Sequence, residues 1–123
     1  MNNNSYDTPW YLGVSVMQHI KKYSGKSFQT LSDMAGFFKV LADETRLKIL
    51  YSLFDGAKCV MHISERVEMS QSAVSHQLAI LKRANLVKVA RSGKNQVYSI
   101  SDEHVRLVVD MAELHVCERT VEQ

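Results

Sequence analysis

The sequence predicts a mainly α-helical fold with one small β-hairpin, and two patterns in the chain indicate it. Apolar residues recur at helical spacing through most of the 123 residues. Towards the C-terminus, two β-rich runs at 86–90 and 96–100 flank a polar loop that contains Gly93, as in a two-stranded hairpin. A hydrophobic content of 46% is sufficient for the core of one small domain.

The first part of the chain is expected to be helical. Residues 1–30 are interpreted as an N-terminal arm with a first helix, and apolar spacing predicts a second helix over 31–41. Asp43 is of the residue type that caps helix N-termini, and it precedes a third helix that ends at Gly56.

Two further helices, 62–68 and 71–84, are predicted on either side of a short turn. In the second of them three apolar residues share a face that we expect to be buried: Val74, Leu78 and Leu81. The opposite face carries hydroxyl, amide, imidazole and basic side chains but no acidic one. A solubilising face normally mixes both signs of charge, although a polar surface helix is the simpler interpretation of this face alone.

Charge is distributed unevenly, although the net formal charge is only +2. Residues 71–100 contain five basic residues and no acidic one, whereas residues 101–123 contain six acidic residues and two arginines. A base-only segment is typical of a surface that faces a polyanion. The helix pair and the hairpin therefore predict a winged helix-turn-helix that binds double-stranded DNA. The predicted DNA-contacting residues are Gln71, Ser72, Ser75, His76, Gln77, Arg91 and Lys94.

The final helix contains four side chains of metal-ligand type, two near each end: Asp102, His104, His115 and Glu118. His104 and His115 share a helix face but lie about 16 Å apart along the axis, whereas ligands of one zinc ion lie about 2 Å from it. An antiparallel pair of these helices would bring His104 of one chain beside His115 of the other. The same register places Val108 opposite Met111. The pattern predicts a metal site shared across a homodimer, the alternative being solvated charges on an amphipathic helix.

Three segments resemble the ArsR/SmtB family of metal-sensing repressors: 41–50 (LADETRLKIL), 70–78 (SQSAVSHQL) and 91–94 (RSGK). The resemblance covers roughly residues 35–121. It implies a winged helix-turn-helix homodimer that occupies operator DNA and leaves it on binding metal. It also implies a zinc site of the pattern Asp-x-His followed by His-x-x-Glu or His, which falls on the same four residues of the last helix.

A second metal site of the family lies before the recognition helix, where some members carry Cys-Val-Cys. This chain has Cys59 and His62 there but lacks the second cysteine, so we do not expect a thiolate-rich site for arsenite, lead or cadmium. An auxiliary site formed by His19, Cys59 and His62 is one interpretation. The other is a small buried cysteine beside a surface histidine. Cys117 is not on the ligand face of its helix.

The ligand types predict the metal and the function. Two imidazoles and two carboxylates form a nitrogen and oxygen set that suits zinc, with cobalt or another divalent ion as a substitute. The expected function is a zinc-responsive repressor that binds operator DNA as a dimer and is released by metal. A metal-independent regulator that responds to redox state through Cys59 and Cys117, or to a partner protein, is the alternative. A small metalloenzyme or metal store is a third interpretation.

Enzymatic activity is not predicted, because the chain shows no nucleophile with its base and no phosphate-binding loop. Two cysteines do not form a disulfide framework, and no signal peptide or membrane-length apolar run is present. We therefore expect a cytoplasmic protein without a membrane partner or a small organic substrate. Its expected parts, within one structural domain, are the arm (1–30), the DNA-binding core (31–100) and the dimerisation and metal-sensing helix (101–123).

Overall fold

The structure, a computed structural model, describes residues 27–122, with side chains described between residues 29 and 118. The predicted first helix and His19 lie outside the described residues. Within them the chain forms five helices and three strands. In chain order they are α1 (Ser27–Leu41), α2 (Glu44–Leu53), β1 (Lys58–Cys59), α3 (Val60–Val67), α4 (Gln71–Arg83), β2 (Val87–Ser92), β3 (Asn95–Ile100) and α5 (Glu103–Glu122).

Two compact units divide the chain between residues 38 and 39, and most of α1 belongs to the first. Helix α1 begins at Ser27 rather than at residue 31. The side-chain amide of Gln29 donates a hydrogen bond of 3.0 Å to Asp33 one turn later, and such pairs stabilise a helix. The prediction began the helix one turn late, although Phe28 already lies at helical spacing from Leu31.

The second unit contains the core, to which α2, α3, α4, β2 and α5 all contribute. Asp43 caps α2 as predicted, because its carboxylate accepts a hydrogen bond of 3.0 Å from the backbone N–H of Arg46. Gly56 follows the helix with a φ of 143°, a conformation that favours glycine. The buried apolar side chains are Leu41, Ile49, Leu50, Leu53, Ile63, Val74, Leu78, Leu81, Leu86, Val87, Val105 and Val109. The apolar face predicted for α4 is thus confirmed.

The turn between α3 and α4 is built by local capping. Glu68 adopts the left-handed conformation at the end of α3, and Ser70 caps α4 by accepting a hydrogen bond of 3.1 Å from the N–H of Ala73. Helix α3 begins two residues earlier than predicted, directly after β1. These short caps fix where the exposed face of α4 begins.

The sheet has three antiparallel strands in the order β1-β3-β2, one more than the predicted hairpin. Strand β1 has only two residues, and it pairs Lys58 with Tyr98 and Cys59 with Val97. A strand of two residues is too short to produce an alternating pattern in the sequence. The hairpin extends further towards its tip than predicted. Ser92 pairs with Asn95, so that Gly93 and Lys94 alone form the turn, with Gly93 at a φ of 64°.

The loop between α2 and β1 is held by an ion-pair cluster around Asp55. Lys58 and Arg66 donate hydrogen bonds of 2.5 and 3.1 Å to its carboxylate. These two bonds hold the pKa of Asp55 below its ordinary value.

The last helix, α5, packs Val105 and Val109 into the core. In the described part of the chain, no helix is both long and apolar enough to cross a bilayer.

Candidate nucleic-acid interface and metal centre

Helix α4 presents a polar face without a carboxylate. Four of the predicted DNA-contacting residues lie on it with exposed side chains: Gln71, Ser72, Ser75 and His76. The cap residue Ser70 shares a hydrogen bond of 3.3 Å with the hydroxyl of Ser72, which orders the beginning of this face. Hydroxyl, amide and imidazole groups both donate and accept, so the face is able to read base edges in a major groove.

Gln77, the fifth predicted residue of α4, lies in a different environment. It is half-buried on the flank of the helix, and its side-chain oxygen accepts a hydrogen bond of 3.0 Å from Nε of Arg46. Arg46 belongs to α2 and is 31 residues away in sequence. It was not among the candidate residues, because a contact at this separation leaves no periodic signal in the sequence.

The hairpin carries positive charge at its tip. Arg91 and Lys94 are exposed, as predicted for a wing. Residues 71–100 contain five basic side chains: Lys82, Arg83, Lys88, Arg91 and Lys94. Within the residues that the structure describes, none of the five forms an ion pair with a carboxylate. Their charge is therefore available to phosphate groups.

The first half of the candidate metal centre lies at the beginning of α5. Oδ1 of Asp102 accepts hydrogen bonds from the backbone N–H groups of His104 and Val105, at 2.9 and 3.4 Å. The same oxygen lies 3.3 Å from Nδ1 of His104. Both side chains are more than half exposed, at 56% and 77%. The cap thus holds a carboxylate and an imidazole together at the surface.

The second half lies at the other end of the helix, where His115 and Glu118 are exposed three residues apart. Met111, between the two halves, is 48% exposed, whereas Val105 and Val109 on the other side are buried. Among the described residues of the single chain, no three histidine, cysteine or acidic side chains lie close enough to hold one metal ion. The four candidate ligands therefore form two separate pairs in each chain.

A different side of α5 is fastened to the end of α2. The hydroxyl of Tyr51 donates a hydrogen bond of 2.5 Å to Glu113, and partial desolvation together with this bond raises the pKa of Tyr51 to about 12. Arg106 donates a hydrogen bond of 3.0 Å to the carbonyl of Phe54 and lies 5.1 Å from the centre of its ring. On the other side of the helix the candidate ligands and Met111 are exposed within the part of the chain that the structure describes.

The auxiliary residues are not gathered into a site within the described chain. Cys59 is half-buried rather than buried, because it lies on an outer strand of the sheet. His62 is exposed on α3, as the alternative interpretation expected. His19 lies outside the described residues.

Residues 43–89, which contain α2 to α4 and the start of β2, match the arsR family of bacterial regulatory proteins. A cadmium resistance transcriptional regulatory protein from Staphylococcus aureus, a CadC homolog, is 41% identical over 88 residues, which are 71% of this chain and 73% of that protein. The chain belongs to the ArsR family. A transcriptional repressor of Synechocystis sp., an SmtB homolog, is 43% identical over 79 residues, which are 64% of this chain and 60% of that protein.

A solved structure supports the same assignment of this ArsR-family chain. It is the homodimeric winged helix-turn-helix DNA-binding domain of a possible ArsR-family regulator from Mycobacterium bovis. The TM-score is 0.74 at 28% identity, covering 80% of this chain and 91% of that one. The predicted winged helix-turn-helix is confirmed. The protein is a DNA-binding transcriptional regulator and not an enzyme, as the sequence predicted.

Proposed function

We propose that this ArsR-family chain is a zinc-responsive repressor that binds operator DNA as a homodimer and leaves it when zinc is bound. The observation that carries the proposal is the arrangement of α5. Two exposed ligand pairs lie near the ends of one stripe on which Met111 is also exposed, while Val105 and Val109 anchor the helix from another side. An antiparallel pairing of two such stripes would bring the first ligand pair of each chain beside the second ligand pair of the other. A dimer would therefore have two metal sites.

The residues at the two ends of α5 fit a zinc ion. Asp102 uses Oδ1 to cap the helix and approach His104, while its Oδ2 makes no hydrogen bond or ion pair within the described residues. Each site would take Asp102 and His104 from one chain and His115 and Glu118 from the other. Zinc would supply a fixed cationic centre with four nitrogen and oxygen ligands. Cys59 and His62 would supply at most two ligands to an auxiliary site.

The relatives support a metal as the signal. The protein from Staphylococcus aureus is named for cadmium resistance, and that from Synechocystis sp. is a homolog of the repressor SmtB. The ligand set of this chain contains no thiolate among its four residues, which favours zinc over cadmium. A regulator of this kind acts where the operator DNA is, so we propose the cytoplasm as its location.

DNA binding in the proposal uses the exposed face of α4 and the wing. Gln71, Ser72, Ser75 and His76 would contact bases or nearby phosphates in the major groove, and Arg91 and Lys94 would contact flanking phosphates. The release of DNA on zinc binding follows from the thermodynamic linkage of the two binding equilibria. If the dimer arrangement that completes the zinc sites differs from the one that fits DNA, a coupling of about 1–3 kcal/mol lowers operator affinity by about 5–150-fold.

The test measures binding to a labelled duplex that the protein itself has enriched from a random-sequence pool. Three samples are compared: the metal-free protein with chelator, the same protein with zinc, and the zinc sample after chelator is returned. The proposal expects tight binding in the first sample, binding weaker by about fivefold or more in the second, and full recovery in the third. Binding that ignores zinc but changes when the thiols are oxidised or blocked would instead support the redox alternative. Parallel titrations with cadmium and nickel test the preference for zinc.

A further inference from the structure

Arg46 is half-buried in the second unit and makes three hydrogen bonds. Its backbone N–H donates to the carboxylate of Asp43, Nη1 donates to the carbonyl of Val40 and Nε donates to Oε1 of Gln77, each at 3.0 Å. The two side-chain bonds are part-buried. A guanidinium held by a carbonyl on one side has little freedom to move, so it is a rigid anchor for the side chain of Gln77.

The anchor determines how the amide of Gln77 is turned. A guanidinium only donates hydrogen bonds, so the atom that faces Arg46 has to be the oxygen of the amide. The NH₂ group is then turned away from Arg46, and it has no hydrogen-bond partner within the described part of the chain. The amide of Gln77 is thus held in one orientation, with its NH₂ group available to donate two hydrogen bonds.

The position of Gln77 indicates what this donor would meet. It follows His76 by one residue, about 100° around the helix, and so lies on the flank of the exposed face rather than at its centre. When a recognition helix lies in a major groove, its centre faces base edges and its flanks face the sugar–phosphate backbone. Glutamine side chains commonly donate to phosphate oxygens. Phosphate is therefore the expected partner.

We propose that Arg46 is a positioning residue for DNA binding, which holds the amide oxygen of Gln77 so that the amide NH₂ donates to a backbone phosphate. Arg46 itself does not contact the DNA. The inference rests on the DNA-binding half of the proposed function and is independent of the metal. It assigns Gln77 a different role from its neighbours, because a phosphate contact adds affinity for every sequence whereas base contacts select among sequences.

A double-mutant cycle tests whether Arg46 acts through Gln77. Metal-free wild type, Arg46→Met, Gln77→Met and the double variant are titrated with the enriched duplex and with a scrambled duplex of the same length. Each single variant should bind both duplexes about tenfold more weakly, as expected for loss of a hydrogen bond to a charged group. The double variant should bind no more weakly than Gln77→Met. If Arg46→Met weakens binding by the same factor in the Gln77→Met background, the inference is wrong.

Gln77→Glu separates DNA binding from folding. Its carboxylate still accepts the hydrogen bond of Arg46, now with the help of charge, so the melting temperature should be equal to or above that of wild type. It has no N–H to donate and repels phosphate, so affinity for both duplexes should fall by more than tenfold. Wild-type affinity in this folded variant would overturn the inference.

A control variant and a check on DNA enrichment complete the experiment. His76→Ala serves as the matched control on the same helix, and it should change the preference between duplexes rather than weaken both equally. If Arg46→Met or Gln77→Met instead changed which duplex is preferred, Gln77 would contact bases and the phosphate assignment would be wrong. If wild type enriched no duplex at all, the DNA-binding half of the proposed function would fail first, and this inference with it.

Discussion

At the scale of single residues, Asp102 combines a structural and a proposed chemical role in one side chain. One of its oxygens caps α5 and lies beside His104, while the other makes no hydrogen bond or ion pair within the described residues. Because asparagine also caps helices well but is a neutral and weaker metal ligand, the two roles are separable by substitution.

Asp102→Asn should therefore leave the free energy of unfolding of the metal-free protein nearly unchanged, whereas Asp102→Ala should lower it by about 1 kcal/mol through loss of the cap. Both variants should bind zinc more weakly than wild type. Denaturant unfolding with chelator present measures the first effect, and a competition titration with a zinc indicator measures the second. Wild-type zinc affinity in Asp102→Asn would remove Asp102 from the ligand set.

The exposed cations of the wing make a second prediction at this scale. Arg91→Ala and Lys94→Ala should weaken binding to all duplexes, and each should reduce the slope of log affinity against log salt by about one per lost phosphate contact. Lys48→Ala is the control, because Lys48 is exposed on α2 and already pairs with Glu44 at 3.3 Å. An unchanged slope in both wing variants would show that the hairpin does not reach phosphates.

At the scale of elements, α5 is attached to α2 on one side. Tyr51 and Phe54 at the end of α2 hold Glu113 and Arg106, whereas the candidate ligands His104 and His115 are exposed on a different side of α5. Periodicity predicted α5 and its stripe. It could not predict these contacts, which join residues 62 and 52 positions apart, or strand β1, which has two residues.

Tyr51→Phe tests this attachment, and it should lower the free energy of unfolding by about 0.5–1 kcal/mol at pH 7, a small value because the pair is exposed. The pKa of Tyr51 is raised from 10.0 to about 12 in the folded protein. The hydroxyl therefore contributes its full stability below pH 10 and loses it as the pH rises through about 12. The free energies of unfolding of wild type and Tyr51→Phe should differ by a constant amount from pH 7 to about 10, and the difference should shrink at higher pH. A difference that persists undiminished near pH 12 would contradict the bond to Glu113.

At the scale of the whole molecule, the candidate metal centre is incomplete in one chain. The sequence predicted the fold class, the buried face of α4 and the cap at Asp43, because each depends on local spacing or residue type. It predicted Gln77 as a DNA contact but not the hydrogen bond of Gln77 with Arg46, because the two residues are 31 positions apart in sequence. The shared zinc site stays a prediction, because it depends on how two chains meet.

Mixing two variants tests the shared site directly. A His104→Ala homodimer and a His115→Ala homodimer each lack a histidine in both sites, so neither should bind zinc tightly. In a mixed dimer one site lacks both histidines, whereas the other combines the intact His104 of one chain with the intact His115 of its partner. Mixing with proven chain exchange should therefore restore one tight zinc site per dimer, half of the wild-type stoichiometry, measured by metal titration under chelator competition. It should also restore part of the zinc-driven release from DNA. If the mixture binds no more zinc than the separate variants, the ligands of α5 are not shared between chains, and the search for a metal site moves to Cys59, His62 and His19.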